Sequence, residues 1–397
     1  MKRIIICFPF LLILFIACQA TNIESTSTPP SSMHPSPNLI MLSEPGQNGH
    51  PTLADFWHGQ AKFIVEVQDT GLPMGESDTI VMHDTAFWSY LHASDRSVGA
   101  IDQCGQPVEF PGCTVFYSSY DNGYHFQPIE PTVCLFQCQT CPCDSKNDHI
   151  DQQQYPRVFF YDGILTLVYE YQARIMIRRS ANGLTWTNSQ EIIGTGIWKK
   201  WLRNCQPEEE IGNHPFVPYD YECLAGGPPG IYIENDMLYV FMGMGQNPGS
   251  MGCYKGDIAD STELMTPCDY NPLFTGTDNY GPVDEKGSHT NQFFGFRMLS
   301  SSEVQKVDNH YYMLYEGIRG AGPGDNGDSQ FGLGLARTMH STIDGEWETF
   351  SGNPILVDLP GNIGLGHADL VVFRGQTLLY TSLDGITRSR LQLVWWE

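Results

Sequence analysis

One internal pattern constrains this chain more than any other: the same hairpin is written five times. Each copy has an entry residue, an apolar strand, a short turn and an aromatic-rich return strand. The copies are SDTIVMHDTAFWSYLHAS from Ser77, YPRVFFYDGILTLVYEY from Tyr155, PPGIYIENDMLYVFMG from Pro228, SSEVQKVDNHYYMLYEG from Ser301 and GLGHADLVVFRGQTLLYTSLDG from Gly364. Their turns centre on Asp84, Asp162, Asn235, Asp308 and Arg374, so successive turns lie 78, 73, 73 and 66 residues apart. Apolar runs broken by Gly, Asn or Asp are hairpin signals, and recurrence at a near-constant period marks a repeat architecture.

A second pair of strands follows in at least three copies. Its markers are SSYDNGYHF (Ser118 to Phe126), RRSANGLTW (Arg178 to Trp186) and RTMHSTIDGEW (Arg337 to Trp347), each a polar turn with Gly and then an aromatic. Four strands per unit, five units and few helical signals predict an all-β chain folded as a five-bladed β-propeller. A β-sandwich is the alternative, but sandwiches do not repeat the same grammar every ~70 residues. The segment AKFIVEVQD, Ala61 to Asp69, is expected to pair into the last blade and close the ring, because an unpaired edge invites association.

In such a fold the first strand of each unit lines the central channel and the second returns to the face where the first began. Strand starts and strand ends therefore meet at one mouth. The starts supply Asp78, Arg157, Ser302, Glu303, His367 and Asp369; the ends supply His92, Glu170, Glu316, Arg319 and Asp384. Polar groups converging from separate units make the default ligand site. The nearby RGAGPGDNGDSQFGLG, Arg319 to Gly334, lacks the strand-to-helix context of a phosphate loop and is expected to lie over the mouth.

The chain opens MKRIIICFPFLLILFIAC, two basic residues before an apolar run too short for the ~20 residues of a membrane span. The run ends Phe15-Ile16-Ala17-Cys18, which resembles a lipobox and implies lipidation at Cys18, with secretion and cleavage elsewhere as the alternative. Residues 1–18 are read as a lipoprotein signal peptide, 19–45 as a disordered Ser/Thr/Pro tether and 46–397 as the propeller domain. The protein is thus expected in the cell envelope, lipid-anchored, facing periplasm or exterior.

Formal net charge is −24, from 45 acidic and 21 basic residues. That excludes nucleic acid, which needs clustered Lys and Arg, and the only membrane attachment expected is the anchor. Abundant rings suit a carbohydrate partner. Setting aside Cys7 and Cys18, ten cysteines remain, an even number in an exported chain. They cluster as Cys104 with Cys113; Cys134, Cys138, Cys141 and Cys143; Cys205 with Cys223; and Cys253 with Cys268, which predicts local disulfide staples. CLFQCQTCPC could instead bind zinc, though export favours disulfides.

The hairpins resemble those of five-bladed-propeller glycoside hydrolases of the arabinanase and β-xylosidase type, over nearly all of the folded body. In that family an Asp before the first-blade strand is the general base, and Asp78 in SDTIVMHDTAFWSY matches it. The family's second-blade Asp falls at Tyr155, and Gly and Pro stand where its third-blade Glu, the general acid, would precede GIYIEND. GLGHADLVV is similar to the family's Gly-His stretch, which places a channel histidine near an ion or water. The resemblance implies a lipid-anchored, monomeric glycoside hydrolase acting on oligo- or polysaccharide. Asp78, Glu303 and Glu316 are the catalytic candidates, and Arg157, Glu170, Arg319, His367 and Asp369 are the candidates for binding substrate. No metal or other cofactor is expected beyond a channel ion such as calcium. The alternative is a non-catalytic carbohydrate-binding propeller.

Overall fold

The computed structural model describes residues 49–82, 85–93, 99–102, 104–108, 112–136, 154–171, 174–193, 219–224, 228–246, 249–259, 265–276, 298–319, 330–357 and 367–397. A short helix, α1 (Leu53–Trp57), is capped by Thr52 and Asp55, and all other regular elements are strands. In chain order these begin with β1 (Ala61–Val67). A first group follows: β2 (Ser77–Val81), β3 (Phe87–Ala93), β4 (Cys113–Ser119) and β5 (Gln127–Pro128). A second is β6 (Gln154–Tyr161), β7 (Ile164–Tyr171), β8 (Arg174–Ser180) and β9 (Gln190–Ile193). The third comprises β10 (Tyr219–Leu224), β11 (Gly230–Glu234), β12 (Met237–Gln246), β13 (Ser250–Asp257), β14 (Thr266–Pro267) and β15 (Phe274–Thr275). The fourth comprises β16 (Met298–Val307), β17 (His310–Arg319), β18 (Gln330–Thr338), β19 (Trp347–Thr349) and β20 (Leu356–Val357). The last is β21 (Asp369–Phe373), β22 (Gln376–Thr381) and β23 (Ser389–Trp395).

The predicted hairpins are all present as antiparallel pairs: β2 with β3, β6 with β7, β11 with β12, β16 with β17 and β21 with β22. Positive φ at Asp162 and Gly163, at Asn235 and Asp236, and at Arg374 and Gly375 gives their turns the hand that matches strand twist. The first turn, at Asp84, lies outside the described residues. The expected ring closure is present: β1 pairs antiparallel with β23, Ala61 opposite Trp395, in the sheet ordered β1-β23-β22-β21.

Sheet packing follows from strand alternation, since successive side chains point to opposite faces. Ile80 faces the second group with Val158 and Leu167, while Val81 faces the last group with Val371 and Phe373. Phe159 packs with Ile231 and Leu238, Val304 with Tyr232 and Phe241, and Leu314 with Leu370 and Leu379. Each sheet thus shares one apolar cluster with the sheet before it and one with the sheet after, and the last returns to the first. That cyclic order is a β-propeller. Its third and fourth groups join through a parallel contact of Ile231 with Glu303.

The predicted outer turns act as staples. Ser119 Oγ accepts from Gly123 N–H and Ser180 Oγ from Gly183 N–H, and the Gly carbonyls accept from Tyr hydroxyls one sheet back. Those donors are Tyr380 to Gly123 at 3.0 Å and Tyr90 to Gly183 at 3.1 Å. Disulfides join Cys253 to Cys268, within one predicted cluster, and Cys113 to Cys134. The latter corrects the neighbour grouping of Cys113 with Cys104, which is itself disulfide-bonded, and removes Cys134 from a four-thiolate zinc site. Cys138, Cys141, Cys143 and Cys205 lie outside the described residues, as do Cys18 and the tether. No described helix is long and apolar enough to cross a membrane.

Candidate active site

Register sorts the channel groups by depth. At the outer level Glu76 lies opposite His92, whose N–H donates to the Glu76 carbonyl at 2.8 Å. Gln154 lies opposite Glu170, Ser300 opposite Glu316, and His367 precedes β21. About two residues deeper come Asp78 opposite Tyr90, Arg157 opposite Val168, Glu303 opposite Leu314 and Asp369 opposite Tyr380. Breaks in register between Gln154 and Arg157 and between Ser300 and Ser302 fall in this stretch, where bulges re-aim side chains.

The two levels form one buried ionic network. Arg157, fully buried, donates to Glu76 and lies 3.4 Å from Glu303. It also donates to the carbonyls of Ser77 and Pro156. His367 Nδ1 is 2.5 Å from Glu76 and 3.2 Å from Glu316, and Ser300 Oγ donates to Glu316 at 2.8 Å. Asp78 accepts from Val158 N–H. Asp369 accepts from Ser77 Oγ at 2.9 Å, Thr79 Oγ1 at 2.7 Å and Thr79 N–H at 3.1 Å. Arg388 donates to the carbonyls of Gly75, His367 and Tyr380, tying the start of the first group to the end of the last.

Burial of so many carboxyls around few cations separates their protonation. Burial pushes Asp78 up, reinforced by Asp369 against the pull of Arg157, from the ordinary 3.8 to about 7. Burial and the charge of Asp78 raise Glu303 well above the carboxylate range, and burial raises Asp369. Burial also acts upward on Glu76, but Arg157, His367 and Arg388 outweigh it and hold this carboxyl far below its usual range. For His367, burial works downward and is overcome by Glu76 and Glu316, so the imidazole is raised to about 10. The network therefore holds firm ions at Glu76, Arg157 and His367 in the interior, beside carboxyls that keep protons.

Asp78, Glu303 and Glu316 are thus brought into one network with His367, Arg157 and Asp369. Arg157 and Asp369 are fully buried and engaged by protein groups. Glu170 is buried in β7 beside Tyr155. Arg319 ends β17, and its side chain lies outside the described residues, as does the loop from 320 to 329. Asp384 corrects the list of channel acids: it is a turn cap, accepting from Ile386 and Thr387 N–H at 2.8 and 2.9 Å. Sequence reading missed Glu76 and Arg388. The signal for Glu76 existed, since residues two apart on a strand share a face and Glu76 stands two before Asp78. Among the described residues no group of three or more His, Cys, Asp or Glu is arranged for a metal ion. His367 Nδ1 lies between the carboxylates of Glu76 and Glu316.

No family model matches the chain, and no curated protein matches it. Solved structures similar to it include the endo-arabinase from Bacteroides thetaiotaomicron, at 13% identity over 84% of this chain and 98% of that one, TM-score 0.47. The catalytic domain of the Coprinopsis cinerea GH62 α-L-arabinofuranosidase is similar at 12% identity over 83% and 92%, TM-score 0.45. The Bacillus subtilis arabinanase Arb43A is similar at 11% over 82% and 95%, TM-score 0.45.

Proposed function

We propose that this chain is a five-bladed propeller glycoside hydrolase that cleaves oligo- or polysaccharide at its channel mouth. In this reading Asp78 is the general base and Glu303 the general acid, with Glu316, Glu170 and His367 orienting substrate above them. The observation that carries it is the pairing of Asp78 and Glu303 from different blades beside Arg157, in an environment that leaves protons in the pair near neutrality. Glycosidic cleavage needs one carboxyl that donates a proton and another that accepts one or attacks. A base poised near 7 beside an acid held protonated is the matched arrangement. The chain is further read as a lipoprotein anchored at Cys18 by way of the 19–45 tether, its 46–397 domain outside the cytoplasm.

A screen of aryl glycosides and of plant and microbial polysaccharides tests the reading, with Asp78→Asn and Glu303→Gln alongside the wild type. Turnover is expected to fall by roughly 10²- to 10⁴-fold in each variant. Turnover untouched by Asp78→Asn removes the base assignment. A second reading, a carbohydrate-binding propeller without turnover, is favoured by one feature: Arg157 lies against Glu303 and occupies its carboxylate. Binding that survives both substitutions, with no turnover in any protein, supports it.

A further inference from the structure

Tyr155 has no place in the ionic network, yet its backbone is the least comfortable in the site. Its φ is +59°, in the left-handed region that costs a bulky L-residue on the order of 1–2 kcal/mol. Among the described non-glycine residues, positive φ elsewhere falls on Asn, Asp and one Arg, all in tight turns, and Tyr155 alone of them is inside a strand. It lies in the register break of β6 between Gln154 and Arg157, where the strand departs from its ladder with β7. The ring stands edge-on to that of His92, centroids 5.2 Å apart, and is neither sealed in the core nor fully exposed. His92 in turn bonds the backbone of Glu76. Tyr155 therefore sits at the outer level of the mouth, one blade from Glu76 and two residues before Arg157.

Strain of this kind persists only where its surroundings enforce it, and it clusters at ligand sites. A fold needing only a ring against His92 could place it from an unstrained strand. What the bulge adds is direction, because a register break at this residue re-aims its side chain. We propose that Tyr155 is a ligand-contacting residue of the channel mouth, its phenol O–H donating a hydrogen bond to a sugar oxygen there. Burial, reinforced by the charges of Glu170, Glu76 and Glu316, raises the phenol's proton affinity, so the hydroxyl stays neutral and a donor at any working pH. A donor there complements carboxylates that only accept, and a sugar hydroxyl, which both gives and takes, can bridge the two kinds of group. This inference rests on the carbohydrate reading above.

Tyr155→Phe tests it, because the variant keeps the ring and the backbone and removes only the O–H. The probes are 4-nitrophenyl α-L-arabinofuranoside, 4-nitrophenyl β-D-xylopyranoside, arabinan and xylan, measured with the full folded chain. On any probe the wild type handles, KM or Kd is expected to rise about tenfold, as for loss of one neutral hydrogen bond, with the thermal midpoint within about 1 °C of wild type. Unchanged affinity overturns the assignment and leaves the carbohydrate reading standing. A midpoint lowered by several degrees also overturns it, because the hydroxyl is then holding the fold together. A wild type that handles none of the four probes sinks the carbohydrate reading, and this inference with it.

Discussion

Replacing Asp78 by Asn should make the protein more stable at pH 8, with a gain only about a quarter as large at pH 4.5. Asp78 is buried and accepts the Val158 N–H, a bond that an amide oxygen can also accept. Its folded-state pKa, about 7, lies above the ordinary 3.8, because burial and Asp369 outweigh Arg157. Between those two values the folded chain keeps a proton that the unfolded chain has released. Stability therefore falls as pH rises across this interval, and the loss is complete above about 7. At 1.36 kcal/mol per decade the gap amounts to ~4 kcal/mol at pH 8. Part of it appears as a lower proton affinity at Glu303, which titrates with Asp78 as a pair. Asn carries no charge at any pH and so avoids this cost. The measurement is urea unfolding of both proteins, disulfides intact, from pH 4.5 to 8.5, comparing midpoints at constant slope. The difference should grow steadily from pH 4.5 to about 7 and level off above that. Two profiles that stay parallel within about 1 kcal/mol would refute the claim that Asp78 holds a proton in the folded channel.

Three further variants probe contacts described above. Arg157→Met strips the counter-charge from Glu76 and Glu303 and should cost ~3–5 kcal/mol at pH 8, and less at pH 5, where neighbouring carboxyls are protonated; urea midpoints at the two pH values check this. Gly123→Ala should cost ~2 kcal/mol or more, because φ is +78° and a Cβ would overlap Tyr380 Oη and meet the Phe87 ring at 2.9 Å. Tyr380→Phe, which only removes the donor to the Gly123 carbonyl, should cost ~1–2 kcal/mol by the same unfolding assay, and equal losses for the two variants would contradict the steric account.

The propeller was legible because its information is local and repeated. A two-residue turn such as Asp162-Gly163 or Arg374-Gly375 announces itself by residue type, and the apolar alternation on either side fixes which residues enter the sheet interfaces. Closure by Ala61 to Asp69 could be read for the same reason, as a strand pattern with no partner nearby in the sequence. Cysteine pairing was only half legible. Cys253 and Cys268 face each other across one pair of adjacent segments, whereas Cys113 on β4 pairs with Cys134, 21 residues on, and not with its nearer neighbour Cys104.

The site was legible as a place but not as a division of labour, and the reason is physical. A carboxylate at a strand end satisfies equally well a turn's backbone N–H groups, a buried guanidinium or a ligand, and the sequence is the same in each case. Asp384 takes the first role and Glu76 the second, yet only Asp384 had been counted among the channel acids. What separates the roles is the burial and the company of each group. Glu76 must be ionised because Arg157, His367 and Arg388 surround it, and its charge in turn keeps His367 protonated. With that much charge fixed in the interior, Asp78 and Glu303 cannot both ionise cheaply, so a proton is retained by the arrangement of their neighbours rather than by either carboxyl alone. Those neighbours come from blades up to about 310 residues apart in the chain, from Glu76 to Arg388, and no local pattern could have joined them.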